Sequence, residues 1–238
     1  MNLINEEYNR SNPFGLETDS YLNATRKETT VSIIQNHIWA KGGSRLLDAG
    51  CGKGLITLFM KQEMSGLVID AIDISQKAIE HAKKSSSEIN FSVADIVDFK
   101  GYGYKYDIII LNNVYEHVEN PIGVLKNIKM LLEKDGIILI STPNRYNTRN
   151  ILRKLLGMNI AIPEYHVTEY SLGQLYDHHR YAGLKILNII IPKLRQDRFK
   201  LSSFIIFKIV EPLINRYLRM LNSRTRTGRL LFVVSGSL

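Results

Sequence analysis

Residues 46–54 read Leu46-Leu47-Asp48-Ala49-Gly50-Cys51-Gly52-Lys53-Gly54, an apolar run that enters a bend built on three glycines. Glycine lets a backbone turn tightly and approach a ligand where any Cβ would collide. Leu55, Ile56, Leu58, Phe59 and Met60 follow at helical spacing, so the bend opens a helix. A second apolar run, 67–72, ends at Asp73. Strand, glycine bend, helix, strand, acid is the order in which α/β folds hold an adenosine-containing cofactor, with the acid placed for the ribose hydroxyls.

Outward from this unit the pattern repeats. Continuous apolar runs at 89–93, 106–111 and 136–141 suit strands covered on both faces. Helical patterns at 27–39, 75–85 and 121–132 separate them, with Ser75 as a cap and Pro121 in a first turn. Alternating βα units predict a doubly wound, mostly parallel sheet with ligands at the carboxyl ends of its strands. After the fifth strand the pattern loosens. Residues 142–168 read as an insertion, 171–181 as a helix ended by Gly183, 184–191 as a strand, 202–222 as a helical insertion and 230–234 as a last strand. Residues 1–26 are polar with scattered aromatics and read as an arm or lid on a single domain spanning 1–238.

The 238 residues suffice for one good core, and 45% hydrophobic with 23% charged content is that of a globular protein. No apolar run approaches the ~18 residues a membrane span requires. The start is polar, without a secretory signal. The lone Cys51 fits a reducing cytoplasm, and its place between two glycines favours a steric role over a nucleophilic one. The net charge of +8 is unevenly spread: residues 193–229 hold ten basic and two acidic side chains, so the rest of the chain is neutral. Within 202–222, Lys208, Glu211, Asn215, Arg219 and Asn222 form one polar stripe on an otherwise apolar helix. Such a helix must bury its wide face against the domain, a second copy in a homodimer, or a peripheral lipid surface. A nucleic-acid partner is disfavoured, because basic tracks interleaved with exposed aromatics are missing.

The glycine spacing separates cofactors. Dinucleotide binding wants G-x-G-x-x-G, and Leu55 occupies the third small position; G-x-G-x-G preceded by Asp48 instead resembles motif I of the class I S-adenosylmethionine-dependent methyltransferases. That resemblance implies a Rossmann-like sheet of seven strands, the last antiparallel, with helical insertions before the sixth and seventh. It implies S-adenosyl-L-methionine as cofactor. Asp48, Gly50, Gly52 and Gly54 would lie on its methionine side, Asp73 and Ile74 at the ribose, Asp95 and Ile96 at the adenine, and Asn112 and Asn113 near the sulfonium. Asn112 to Tyr115 lacks both prolines of the N-P-P-Y signature found in enzymes that methylate base amines. The segments Glu116-His117-Val118-Glu119-Asn120-Pro121, Ser141-Thr142-Pro143-Asn144 and His166-Val167-Thr168-Glu169-Tyr170 resemble the O-methyltransferases of ubiquinone biosynthesis and their small-molecule relatives.

His117 and His166 are the expected catalytic residues, since imidazole is a natural base near neutrality. His178 and His179 read as surface residues on a helix. Some relatives hold a divalent ion with Glu-x-x-Glu-His; here the first position is Asn113, leaving Glu116, His117 and His166, and no metal site is assigned. The expected function is methyl transfer to oxygen on a small-molecule acceptor such as a quinone precursor, a sugar or a lipid-linked metabolite. The rivals are an RNA or protein methyltransferase docking through its basic C-terminal segment, and a non-catalytic scaffold at a membrane surface.

Overall fold

The computed structural model describes residues 20–41, 45–160, 162, 166–192, 209–220 and 228–237. Its elements run α1 (Ser20–Lys41), β1 (Arg45–Ala49), α2 (Leu55–Glu63), β2 (Val68–Asp73), α3 (Gln76–Lys83), β3 (Asn90–Val93), β4 (Tyr106–Asn112), α4 (Pro121–Leu131), β5 (Leu132–Pro143), α5 (Thr148–Leu155), α6 (Leu172–Tyr181), β6 (Leu184–Ile190), α7 (Glu211–Met220) and β7 (Leu230–Ser237). A single 3-10 turn, Tyr115–His117, lies between β4 and α4.

The seven strands form one sheet in the order β3-β2-β1-β4-β5-β7-β6. β1 to β5 pair in parallel, and β7 runs antiparallel to both β5 and β6. The doubly wound sheet with its reversed last strand is therefore as expected. Two apolar clusters cover its faces. One gathers Leu47, Ile109, Leu111, Ile138 and Ile140 with α4 and α6. The other gathers Leu46, Ile108, Ile110, Phe232 and Met60 with α1 and α3. Alternate residues of each central strand thus face opposite layers, which is why those strands read as unbroken apolar runs.

Local chemistry sets the helix starts. Ser75 caps α3 by accepting from the Ala78 amide, Asn120 caps α4 ahead of Pro121, and Ser171 with Gln174 forms a reciprocal capping box on α6. α1 begins at Ser20, so the last seven residues of the expected arm are helical, while residues 1–19 lie outside the described residues. α4 ends at Leu131, one residue short of the expected 132 and well before Gly136, the next residue able to stop a helix: Leu132 already pairs with Tyr106, and the left-handed residue is Asp135. Gly136 is required for another reason, since a Cβ there would press on the Asp107 carbonyl at 2.9 Å.

His178 and His179 are not surface residues. His179 is buried, its Nδ1 lies 2.7 Å from the Leu175 carbonyl, and burial lowers its pKa to about 4. His178 is half-buried, hydrogen-bonded to the Tyr115 hydroxyl and stacked among Tyr115 and Tyr170. The expectation failed because α6 lies between α4 and β6, so its histidine face turns inward.

Candidate functional site

Three consecutive demands on the backbone explain the glycine bend. Gly50, Gly52 and Gly54 have φ of +86°, +55° and +79°, all left-handed. A Cβ on Gly50 would overlap the Val114 side chain, so the bend and the segment after β4 are pressed together. The amides of Gly50 and Cys51 both donate to the Ile72 carbonyl, at 2.7 and 3.0 Å, which fastens the bend to the carboxyl end of β2. Burial pushes the Cys51 thiol up, so it stays protonated near neutrality, in keeping with a steric role.

Two carboxylates sit under this bend. Asp48 is buried, accepts a 2.6 Å hydrogen bond from the Thr57 hydroxyl, and is pushed up to about 7 by burial and by the nearby charge of Asp73. Asp73, the last residue of β2, accepts from the Gly52 amide at 2.7 Å and the Ser75 amide at 2.8 Å. Those two bonds fix the carboxylate plane and leave each oxygen one further lone pair. Burial raises its pKa despite them. Ile74, next in sequence, is 38% exposed. After β3, the Asp95 carboxylate is half-buried and accepts from the Val97 amide, while Ile96 is buried in the core beside Val118.

β4 and β5 deliver the second half of the site. The Asn112 side-chain oxygen accepts from the hydroxyls of Ser141 (2.8 Å) and Thr30 (3.3 Å), which turns its amide nitrogen away from both. Asn113 has a φ of +54°, a left-handed residue where the chain leaves β4. Glu116 and His117 follow on the 3-10 turn, and the Glu116 carbonyl accepts from the amides of Val167 and Thr168. That pairing brings His166 onto His117, with ring centroids 4.9 Å apart and planes at 76°. His166 also faces Glu169 at 3.7 Å.

Among the described residues, a group of buried polar atoms without hydrogen-bond partners gathers here: the Asn112 amide nitrogen, the Asn113 side-chain oxygen, both Glu116 oxygens, the Thr142 hydroxyl and one Glu169 oxygen. Buried polar atoms cost free energy unless paired, so this group is where a ligand, an ion or ordered water would find partners. The contrast with Asp70 is instructive. That buried carboxylate, at the far end of β2, accepts from Asn90, Tyr104 and Tyr106 and is fully served by the fold. Glu116 is pushed up to about 7 by burial, opposed by its own backbone amide and by His166, Thr142 and Arg26. Thr142 is near enough to favour the charged form, without the geometry of a completed hydrogen bond.

The sequence-derived positions thus fall into three groups. Asp48, Gly50, Gly52, Gly54, Asp73 and Ile74 cluster at the bend, and Asn112, Asn113, His117 and His166 at the ends of β4 and β5; Asp95 and Ile96 close the β3 end. Sequence reasoning weighed Glu116 only as a metal ligand and missed Thr142, Glu169 and Arg26 as members. Glu116 and Thr142 lie inside quoted motifs, so their burial was the missing signal. Arg26 fell in the expected arm, where nothing marked it. Glu116, His117 and His166 place ligand atoms within 4.8 Å of one another, an imidazole-rich set suited to a borderline divalent metal more than to magnesium.

Comparison with known proteins supplies the family. A family model described as "Methyltransferase domain" matches residues 25–189. The ubiquinone biosynthesis O-methyltransferase of Rickettsia canadensis is 31% identical over 162 residues, covering 66% of this chain and 64% of that protein. The chain spans about half to two thirds of the length of the curated relatives it matches. Among solved structures, a plantazolicin methyltransferase crystallised with SAH aligns with a TM-score of 0.67 at 19% identity, covering 99% of this chain and 94% of that one. The magnesium protoporphyrin IX methyltransferase from Synechocystis PCC 6803, also with SAH bound, aligns at 0.66 with 16% identity, covering 99% and 98%.

Proposed function

Because the chain belongs to the methyltransferase-domain family, we propose that it transfers the methyl group of S-adenosylmethionine to an oxygen on a small-molecule acceptor. The observation that carries this reading is the set of partnerless buried polar atoms at the ends of β4 and β5, pressed through Val114 against the glycine bend. A cofactor pocket and an acceptor pocket share that wall. Glu116, Thr142 and Asn112 suit an acceptor rich in hydroxyls, because the carboxylate and hydroxyl oxygens accept what a hydroxyl donates and the Asn112 amide nitrogen donates to a hydroxyl oxygen.

S-adenosylmethionine supplies the electrophilic methyl carbon and a neutral thioether leaving group. The chain supplies placement. Asp73, held flat by the Gly52 and Ser75 amides, suits the paired hydroxyls of a ribose. Asp95 and Ile96 are assigned to the adenine and Ile74 to the ribose edge, with Asp48 stiffening the bend through Thr57. Asn112 and Asn113 face the reacting centre. His117 and His166 are assigned to take the acceptor's proton as its oxygen attacks, a role for which a positioned imidazole contributes ~10²–10⁴-fold. The acceptor is lipophilic or lipid-linked in this reading, met at a membrane surface by the 202–222 segment, of which residues 209–220 are described.

Titration calorimetry with S-adenosylmethionine tests the cofactor half. Wild type should bind, and Asp73→Ala should lose about 30- to 100-fold in affinity, the worth of charge-assisted hydrogen bonds to two hydroxyls. No binding by wild type would leave only a scaffold. Mass spectrometry of cellular small molecules gaining one methyl group identifies the acceptor. A methylated RNA or protein in their place would move the activity to the rival class.

A further inference from the structure

α7 carries two apolar faces. Val210, Ile214 and Leu218 are half-buried. The Glu211 carboxyl takes a hydrogen bond from Thr148, which ties the start of α7 to the start of α5. The other face is bare: Ile209, Leu213, Tyr217 and Met220 are 50%, 62%, 61% and 76% exposed. At about 100° per residue these four fall within an arc of roughly 80°, a single ridge. Arg216 is exposed on its rim. On α5, whose start meets the start of α7, the far end and the turn after it leave Leu155, Leu156 and Met158 uncovered.

Charge is uneven along the sequence in the same two regions. Residues 144–162 hold Arg145, Arg149, Arg153 and Lys154 and no acid, and residues 193–229 have a net charge of +8. These two stretches of sequence therefore carry +12 in a chain of +8, and the remainder is −4. Their described helices, α5 and α7, both sit on connections at one end of the sheet. α5 follows the carboxyl end of β5, and the β6–β7 connection that holds α7 returns at Leu230, paired with Pro143 at that same end. This is the edge that carries Thr142, Glu116 and the histidines.

We propose that the α5–α7 edge docks on an anionic lipid bilayer, so that the acceptor reaches the site from the membrane. The delivery half rests on the proposed methyl transfer; the docking half stands without it. A ridge of long apolar side chains with basic neighbours and no acid between them matches an anionic interface, where the apolar stripe enters the acyl boundary and the cations meet headgroups. A second copy is a poor occupant, because a two-fold contact would face this positive surface with itself. A nucleic acid is a poorer one, since Tyr217 is the single aromatic on the ridge and gives no stacking track. No helix among the described residues is long and apolar enough to cross a membrane, so attachment here is to the surface.

Co-sedimentation of the full chain with vesicles tests this, using phosphatidylcholine alone and phosphatidylcholine mixed with phosphatidylglycerol. Wild type should favour the mixed vesicles, and raised salt should weaken binding. The double variant Leu213→Asp, Tyr217→Asp should bind at least about tenfold less, whereas Leu213→Met, Tyr217→Phe should match wild type. S-adenosylmethionine affinity, measured on the same samples, should not move. Wild type that ignores both vesicles, or aspartate variants that bind as well as wild type, would overturn the proposal. So would a dimer, or an RNA complex, that the aspartates dissolve while vesicles have no effect. Vesicle binding with no cofactor binding would leave docking intact and remove methyl transfer.

Discussion

Asp48 and Gly50 show how closely single residues are specified. The folded Asp48 carboxyl titrates at about 7, against 3.8 when solvated. A raised acid pKa means the folded state holds its proton more tightly, so this contribution is complete below about pH 4 and lost as pH rises towards 7. Its size is on the order of 3–4 kcal/mol. Asp48→Asn keeps an acceptor for Thr57 and removes the charge. Its melting temperature, relative to wild type without cofactor, should therefore climb steadily from pH 4 to pH 8; a flat difference would mean that Asp48 titrates normally. Gly50→Ala should destabilise by about 2–3 kcal/mol in urea, because it adds a left-handed penalty to the collision with Val114. Adding Val114→Ala should recover the collision part alone, and full recovery would show that backbone strain contributes nothing.

At the scale of elements, Asn144 holds three segments in register. Its amide donates to the Arg229 carbonyl, its side-chain nitrogen to the Gly228 carbonyl, and its side-chain oxygen accepts from the Tyr146 amide. It also bridges Tyr170, ahead of α6. Asn144→Ala should lower stability by about 2–3 kcal/mol in urea unfolding and loosen the turn that puts His166 over His117. A loss under about 0.5 kcal/mol would show that β5 and β7 hold that corner without it. Strands and the Ser75 cap were legible in the sequence because period and cap chemistry are local: Ser75 acts within three residues, as Asn120 and Ser171 prove to do. The histidine pair was legible only as two separate motifs. Its meeting depends on the Glu116 carbonyl receiving Val167 and Thr168, a contact between segments fifty residues apart that no local pattern encodes.

Across the whole molecule, the fold was readable from one end of the sheet to the other, whereas the site was readable only in part. Apolar runs register burial on both faces, but an acid such as Glu116 looks the same in sequence whether solvated or enclosed. Burial also ranks the strands. Ile108, Ile109, Ile110 and Leu111 of β4 are wholly enclosed, while β3 and β6 form the two margins. Amide hydrogen exchange should be slowest in β1, β4 and β5 and fastest in β3, β6 and α7. A slow β6 would mean that its margin is covered in solution.

β7 is made after the other six strands of the sheet, yet it takes the place between β5 and β6. Until it arrives, β5 offers a bare row of amides and carbonyls to its surroundings, and β6 has no neighbour to join. Nascent chains stalled just short of residue 230 should thus be unusually attractive to chaperones, and the corner at Pro143 and Asn144 should set only once β7 has emerged.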